Sequence, residues 1–441
     1  LPISVEYVAH TGTHVWPYAS WDTAATNIAA ALDAAVDGGE ILIGSGVYAA
    51  AGLVVDSAVT LEGAYGAGAT EIAGDGARRV VTLDHPGACL RGLTISGGSD
   101  VYGGGIFSHD RGAVLSCRVV NNRAANGGGG MYFANGGIVS NTTVAHNTAG
   151  ADGGGGVFYG DARVLDSTFR NNHAFRDGGG IDAGMYATVR ECGVVDNVAS
   201  NAGGGVNLDS YAFLVRSCVA DNRADRGGGV CGGEAALIDS CCIEENRART
   251  GGGVDGVGCI IRNSLVARNM SRRRGGGVSV DAGVVQNCTI ADNTSRHGAG
   301  GLTMRHGGEL ANTIIAHNAS RSGRANLLRH GGVAVRSISR ERRRPPRFVD
   351  RGRGNYRVRA DSACIDAADE LVWMAATPDL DGRARIAGAG PDIGAFEFAP
   401  GAAPDGRVYI AGYVHLGMTG GGGGPVPEPG IIAALFVAAG L

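Results

Sequence analysis

A run of glycines followed by an aliphatic residue returns about every 24 residues through the middle of this 441-residue chain. The aliphatics are Ile106, Met131, Val157, Ile181, Val206, Val230, Val254, Val278 and Leu302. A second column keeps the same time: Asn122, Asn147, Asn172, Asn197, Asn222, Asn246, Asn269, Asn293 and Asn318. A fixed period of this size is the mark of a solenoid or an array, in which each unit packs only against its neighbours. Seventy-eight glycines serve that period and show no Gly-X-Y triplet, which excludes collagen. Hydrophobic residues make up 44% of the chain, enough for a packed core.

One repeat, residues 203–226, reads as three short strands: Val206–Leu208, Phe213–Val215 and Cys218–Ala220. Each is too short for a helix and is bounded by Gly, Asn, Asp or Ser. Three strands that return every 24 residues predict an all-β, right-handed parallel β-helix, with equivalent strands stacked at about 4.8 Å. The column Val119, Val144, Phe169, Val194, Val219, Ile243, Val266, Ile290 and Ile315 then faces inward. The Asn column is an amide ladder, because each side chain both donates and accepts. Ahead of the repeats, the alanine-rich segment 21–36 predicts a capping helix, with Asp22 or Thr23 as its N-cap.

The same columns absorb much of the apparent chemistry. Cys117, Cys192, Cys241 and Cys288 alternate with Ser and Thr in one slot, so the ten cysteines read mostly as small buried thiols. No Cys-x-x-Cys pair suggests zinc. The sequons at Asn269, Asn293 and Asn318 are ladder positions. A net charge of −4 argues against nucleic acid as a partner. The Arg-rich stretch Arg340 to Arg347 reads as a solvated loop or as a contact with an anionic polymer.

Three segments carry a resemblance. NCTIADNTS, residues 287–295, with its glycine run resembles the repeats of polymorphic outer-membrane-protein-like bacterial surface proteins. Residues 345–398, ending in PDIGAFEF, resemble the close of the choice-of-anchor β-helix proteins, and TAATNIAAALDAAV resembles their N-terminal cap. Pro427, Glu428 and Pro429, followed by an apolar stretch, are similar to a PEP-CTERM sorting signal. The resemblance implies residues 1–100 as cap and first coils, 101–320 as regular repeats, and 321–398 as a loop and closing segment. A linker at 399–424 and a sorting tail at 425–441 follow. It also implies export, with a leader removed, and display at the surface of a Gram-negative-type bacterium. Membrane contact is then confined to the tail.

A groove is expected where the residue after each inward aliphatic points outward. That outer column reads Phe107, Tyr132, Phe158, Asp182, Asn207, Cys231, Asp255, Ser279 and Thr303, with Tyr159, Asp161, Asp209 and Asp281 nearby. Aromatics can stack on sugar rings. Asp182 and Asp255 can do acid–base work or hold a hard cation such as Ca²⁺. Against catalysis, the two aspartates lie three coils, about 14 Å, apart, and stacked aromatics also stabilise sheets. The expected function is a structural, adhesive or glycan-binding surface protein whose partner is an extracellular polysaccharide. The alternative is a polysaccharide lyase or glycoside hydrolase of the pectate-lyase-like fold.

Overall fold

The structure, a computed structural model, describes residues 4–323, 325–337 and 345–400, with two further short strands, Tyr409–Ile410 and Tyr413–Val414. The sorting motif at Pro427–Pro429 and Arg340 to Arg344 lie outside the described residues.

The chain winds into a parallel β-helix with three long sheets of 14, 12 and 12 strands. In the coil at 203–226 the three strands are Val206–Leu208, Phe213–Val215 and Cys218–Ala220, as the residue pattern predicts. They belong to what we call the post-glycine, middle and pre-asparagine sheets. Each pairs in parallel with its equivalent one coil on, Val206 with Val230 and Val219 with Ile243. A short fourth ladder follows the asparagines, where Ala124, Ala149 and Ala174 are buried at the corner.

The core is a column of inward residues. Val206, Leu214 and Val219 in this coil are 0% exposed, as is every member of the Val119-to-Ile315 column. Each buried Val, Leu or Ile contributes about 1.5–3 kcal/mol, and the coils repeat that term. Left-handed residues that are not glycine stand at two of the corners of this coil ahead of inward side chains: Arg216 (φ 46°) ahead of Ser217, and Asp221 (φ 56°) ahead of Asn222. Each turns the following small or amide side chain inward.

The asparagine ladder is continuous. Nδ2 of Asn197 donates to Oδ1 of Asn222 at 3.0 Å, and the Asn197 backbone N–H reaches the same oxygen at 2.9 Å. The chain of amides runs from Asn122 to Asn318 and ends on Asn326, which the period does not mark. All ten cysteines are buried.

The N-terminal cap differs from expectation. The helix spans only Ile28–Ala34, and its N-cap is Asn27, whose side chain accepts from the Ala30 N–H at 2.9 Å. Residues 22–26 form a turn and a single bridge to Val8, not helix, because they are bonded elsewhere: the Ala25 N–H donates to Tyr7 O and the Ala9 N–H to Ala25 O. Their partner, Val5–Val8, opens the 14-stranded sheet. At the other end, residues 345–398 lie along the side of the solenoid, over the outer face of the pre-asparagine sheet. Phe396, Tyr356 and Leu380 pack there on Leu265, Ala267 and Ala291.

Candidate functional site

The post-glycine sheet carries the expected outward column, with one correction. Register pairs Phe107 with Tyr132, Tyr132 with Val157, and Val157 with Asp182. Phe158 therefore points inward. It is 0% exposed, its ring centroid 5.6 Å from Phe133 and 6.0 Å from Phe169. The cause is a fourth glycine. Gly156 takes the inward slot between Met131 and Ile181, and the Phe158 ring fills the space its missing side chain leaves. The sequence signals this slip: the post-glycine spacing goes to 26 and then 24 around Val157, while the asparagines hold 25.

The true floor runs Phe107, Tyr132, Val157, Asp182, Asn207, Cys231, Asp255, Ser279, Thr303. Outward residues of a sheet are normally half solvated, yet Asp182 is 5% exposed and Asp255 6%. Two walls account for this. One is the residue just before each glycine run: Tyr102, Asp152, Asp177, Arg226 and Arg274 stand there. Bridges from Asp177 through Ala202 and Arg226 to Thr250 place them in one column. The other is the residue two beyond each floor position, which includes Tyr159, Asp209, Asp281 and Arg305. The wall column does not emerge from the period alone. It requires knowing where the chain turns.

Along this cleft the chemistry changes in thirds. The first is aromatic: Phe107 and Tyr132 stack at 5.4 Å with an interplanar angle of 3°, Tyr102 meets Tyr132 edge-on at 5.2 Å, and Arg79 caps Phe107 at 4.6 Å.

The middle third is acidic. The Asp182 carboxylate accepts from Nδ2 of Asn207 at 2.7 Å. Burial raises its pKa to about 7; the Asn207 bond opposes this, and Asp152, Asp209 and Asp177 add to the rise. Asp209 is raised too, first by burial and then by Asp152 and Asp177. Arg176 binds Asp152, its Nε 2.7 Å from Oδ1, and reaches Asp177 at 3.7 Å. Tyr159 lies across Gly184, and burial followed by the Asp182 charge pushes its phenol up.

The last third is basic. Asp255 is held by Arg226, Nε to Oδ2 at 2.8 Å. Asp182 and Asp255 are thus not brought together: Asn207 and Cys231 stand between them. Burial pushes the Cys231 thiol up to about 12, so it offers no nucleophile. Asp161 pairs with Arg111 at the surface at 3.1 Å. Among the described residues no group of three or more His, Cys, Asp or Glu side chains is placed to hold a metal ion.

No protein-family model matches the chain, and no curated protein matches it in sequence. Solved structures do resemble it. A pectate lyase is 15% identical, with 90% of this chain and 97% of that one covered, at a TM-score of 0.43. The A-module of a mannuronan C-5 epimerase from Azotobacter vinelandii is 18% identical over 70% of this chain and 94% of that one, TM-score 0.48. A mutant of a periplasmic alginate epimerase is 13% identical over 68% and 77%, TM-score 0.32. These likenesses are of fold. Among the described residues no helix is long and apolar enough to cross a membrane.

Proposed function

We propose that the protein cleaves a polysaccharide chain laid along the post-glycine cleft, with Asp182 as the group that moves the proton. The observation that carries this is Asp182 itself. It is a carboxyl on the outward face of a strand, walled from water, with a pKa of about 7 and a row of tyrosines beside it. A residue kept only for sheet stacking has no need of a buried charge. Held protonated near neutrality, Asp182 can give its proton to a glycosidic oxygen. Asp209 is its partner carboxyl. It sits two residues along from Asn207, the register partner of Asp182, which puts the two Cα atoms roughly 8 Å apart. In that role Asp209 takes a proton from the attacking water while Asp182 protonates the leaving oxygen. Asp255, paired with Arg226, is assigned no catalytic role.

The aromatic third supports a second reading, a surface protein that binds a glycan without turning it over. Phe107, Tyr132 and Tyr102 form an aromatic cluster against which a sugar chain can pack. In both readings the protein works outside the cytoplasm, where its polymer is.

The test is turnover on a panel of neutral and acidic polysaccharides, read by new reducing ends and by ultraviolet absorbance of unsaturated products. Asp182→Asn is expected to lose at least 100-fold in kcat while still binding. Wild-type activity should fall as pH rises through about 7, as Asp182 ionises. Tight binding with no turnover on any polymer would leave the second reading.

A further inference from the structure

The basic third of the cleft has more positive charge than its carboxylates answer. Arg226, Arg249, Thr250, Arg273, Arg274 and Leu328 surround a pocket of about 360 Å³. Two of the four arginines are already engaged: Arg226 with Asp255 at 2.8 Å, and Arg249 with Asp225 through two bonds of 2.6 Å. The other two are not. Among the described residues no carboxylate pairs with Arg273 or Arg274, and Nε of Arg274 is buried without a hydrogen-bond partner. The nearby guanidinium of Arg305 is occupied by Asp281 at 3.0 Å, and its Nε is likewise buried and unpartnered. Burial, followed by repulsion from Arg305, lowers the affinity of Arg274 for its proton.

A buried guanidinium N–H left without an acceptor is costly, and a planar guanidinium fork matches a carboxylate or a sulfate group. The alternatives fit less well. In the acidic third Asp152 and Asp177 already have partners in Arg176 and Asn201, and the stacked Tyr186 and Tyr211 pair lies on an exposed turn with nothing to fix an occupant.

We infer that this pocket is an anion subsite of the same cleft, so that the polymer it takes is a polyanionic glycan carrying carboxylate or sulfate groups. The inference rests on the proposed role of the cleft and adds its substrate class. Coil spacing sets the reach. Arg226 stands two coils, about 10 Å, from Asp182, and Arg274 four coils, about 19 Å. A ligand that touches both is therefore an oligosaccharide. Its charged groups lie over the arginines, and the bond that reacts lies over Asp182.

The experiment is calorimetric binding of three hexasaccharides to the full chain. One is a 4-linked uronic acid, one is its carboxyl-reduced neutral counterpart, and one is sulfated. Variants are Arg273→Ser, Arg274→Ser and, as a control of equal charge outside the pocket, Arg272→Ser; Asp182→Asn is included with a turnover readout. Arg273 is exposed, so its loss leaves folding intact, and unchanged melting qualifies each variant. Binding of the uronic or the sulfated ligand is expected to be at least 10-fold tighter than that of the neutral one. Arg273→Ser and Arg274→Ser should erase that margin and Arg272→Ser should keep it. The better of the two charged ligands identifies the group. Equal binding of neutral and charged ligands, or an equal loss in Arg272→Ser, overturns the inference. If Asp182→Asn abolishes turnover of a neutral polymer, the proposed function stands while the anion subsite fails. If charged ligands bind through Arg274 and nothing is turned over, the subsite stands and the catalytic reading fails.

Discussion

A carboxyl group in water ionises near pH 4; Asp182 does not, because the walls of the cleft take its water away and three neighbouring aspartates oppose its charge. The consequence for stability has a definite sign. Between about pH 4 and 7 the folded chain holds a proton that the unfolded chain has released, so stability falls as pH rises through that window and is level above it. The rise from 3.8 to about 7 corresponds to a penalty of up to about 4 kcal/mol above pH 7. Asp182→Asn is neutral at every pH. It is expected to be more stable than the parent at pH 8, with the gap closing toward pH 4.5, in urea unfolding. An equal gap at both pH values would show that Asp182 ionises normally. Asp255 in the same column has an ion-pair partner, Arg226. Asp255→Ala strands that half-buried guanidinium, and melting should show a loss of about 1–3 kcal/mol with turnover little changed. Both aspartates were readable from the sequence as members of one outward row. What separates them was not, since a partner from the corner column cannot be assigned before the turns are known.

The glycine runs and the asparagines act at the level of the element. Within one run the glycines have different duties. A Cβ on Gly129 would lie 2.4 Å from Gly154 O and 2.6 Å from the Thr148 carbonyl, so the next coil closes that site. A Cβ on Gly127 would find nothing nearer than 3.4 Å. Gly129→Ala should cost about 3 kcal/mol and Gly127→Ala less than about 0.5 kcal/mol, by thermal melting. Two equal losses would contradict the coil-on-coil contact. Asn197→Ala would take its acceptor from the Asn172 N–H and remove one hydrogen bond each from Asn172 Nδ2 and the Phe169 carbonyl, at about 3 kcal/mol. The ladder was legible because each asparagine side chain bonds to another asparagine one period away. The strand order of a coil was legible for the same reason. Where the copies differ, legibility dropped: the extra glycine at 156 moved Phe158 into the core. It dropped further where long-range pairing decides, as when Val5–Val8 claims residues that would otherwise extend the cap helix.

At the scale of the molecule the three sheets divide the labour. The post-glycine sheet carries the cleft. The outer face of the pre-asparagine sheet changes from Arg118, Thr143 and Thr168 in early coils to Cys218, Cys242 and Leu265 in later ones, and residues 345–398 cover the apolar part. Asn263 and Asn312, at turn positions, donate to the Pro378 and Asp369 carbonyls at 2.6 and 2.8 Å and fix that cover in place. Phe396→Ala should release it at a cost of about 3–5 kcal/mol. Trypsin should then cut within 345–398 while the repeats at 106–320 stay intact. The cover packs on the pre-asparagine sheet and not on the post-glycine sheet along which the proposed polymer runs. The most direct measurement of that claim is a crystal structure of Asp182→Asn soaked with a uronic acid hexasaccharide. The sugar chain is expected along the post-glycine sheet, with a ring on Tyr132, a glycosidic oxygen within hydrogen-bond distance of residue 182, and a carboxylate at Arg274. A sugar bound on another face, or in the cleft with no contact to residue 182, would contradict it.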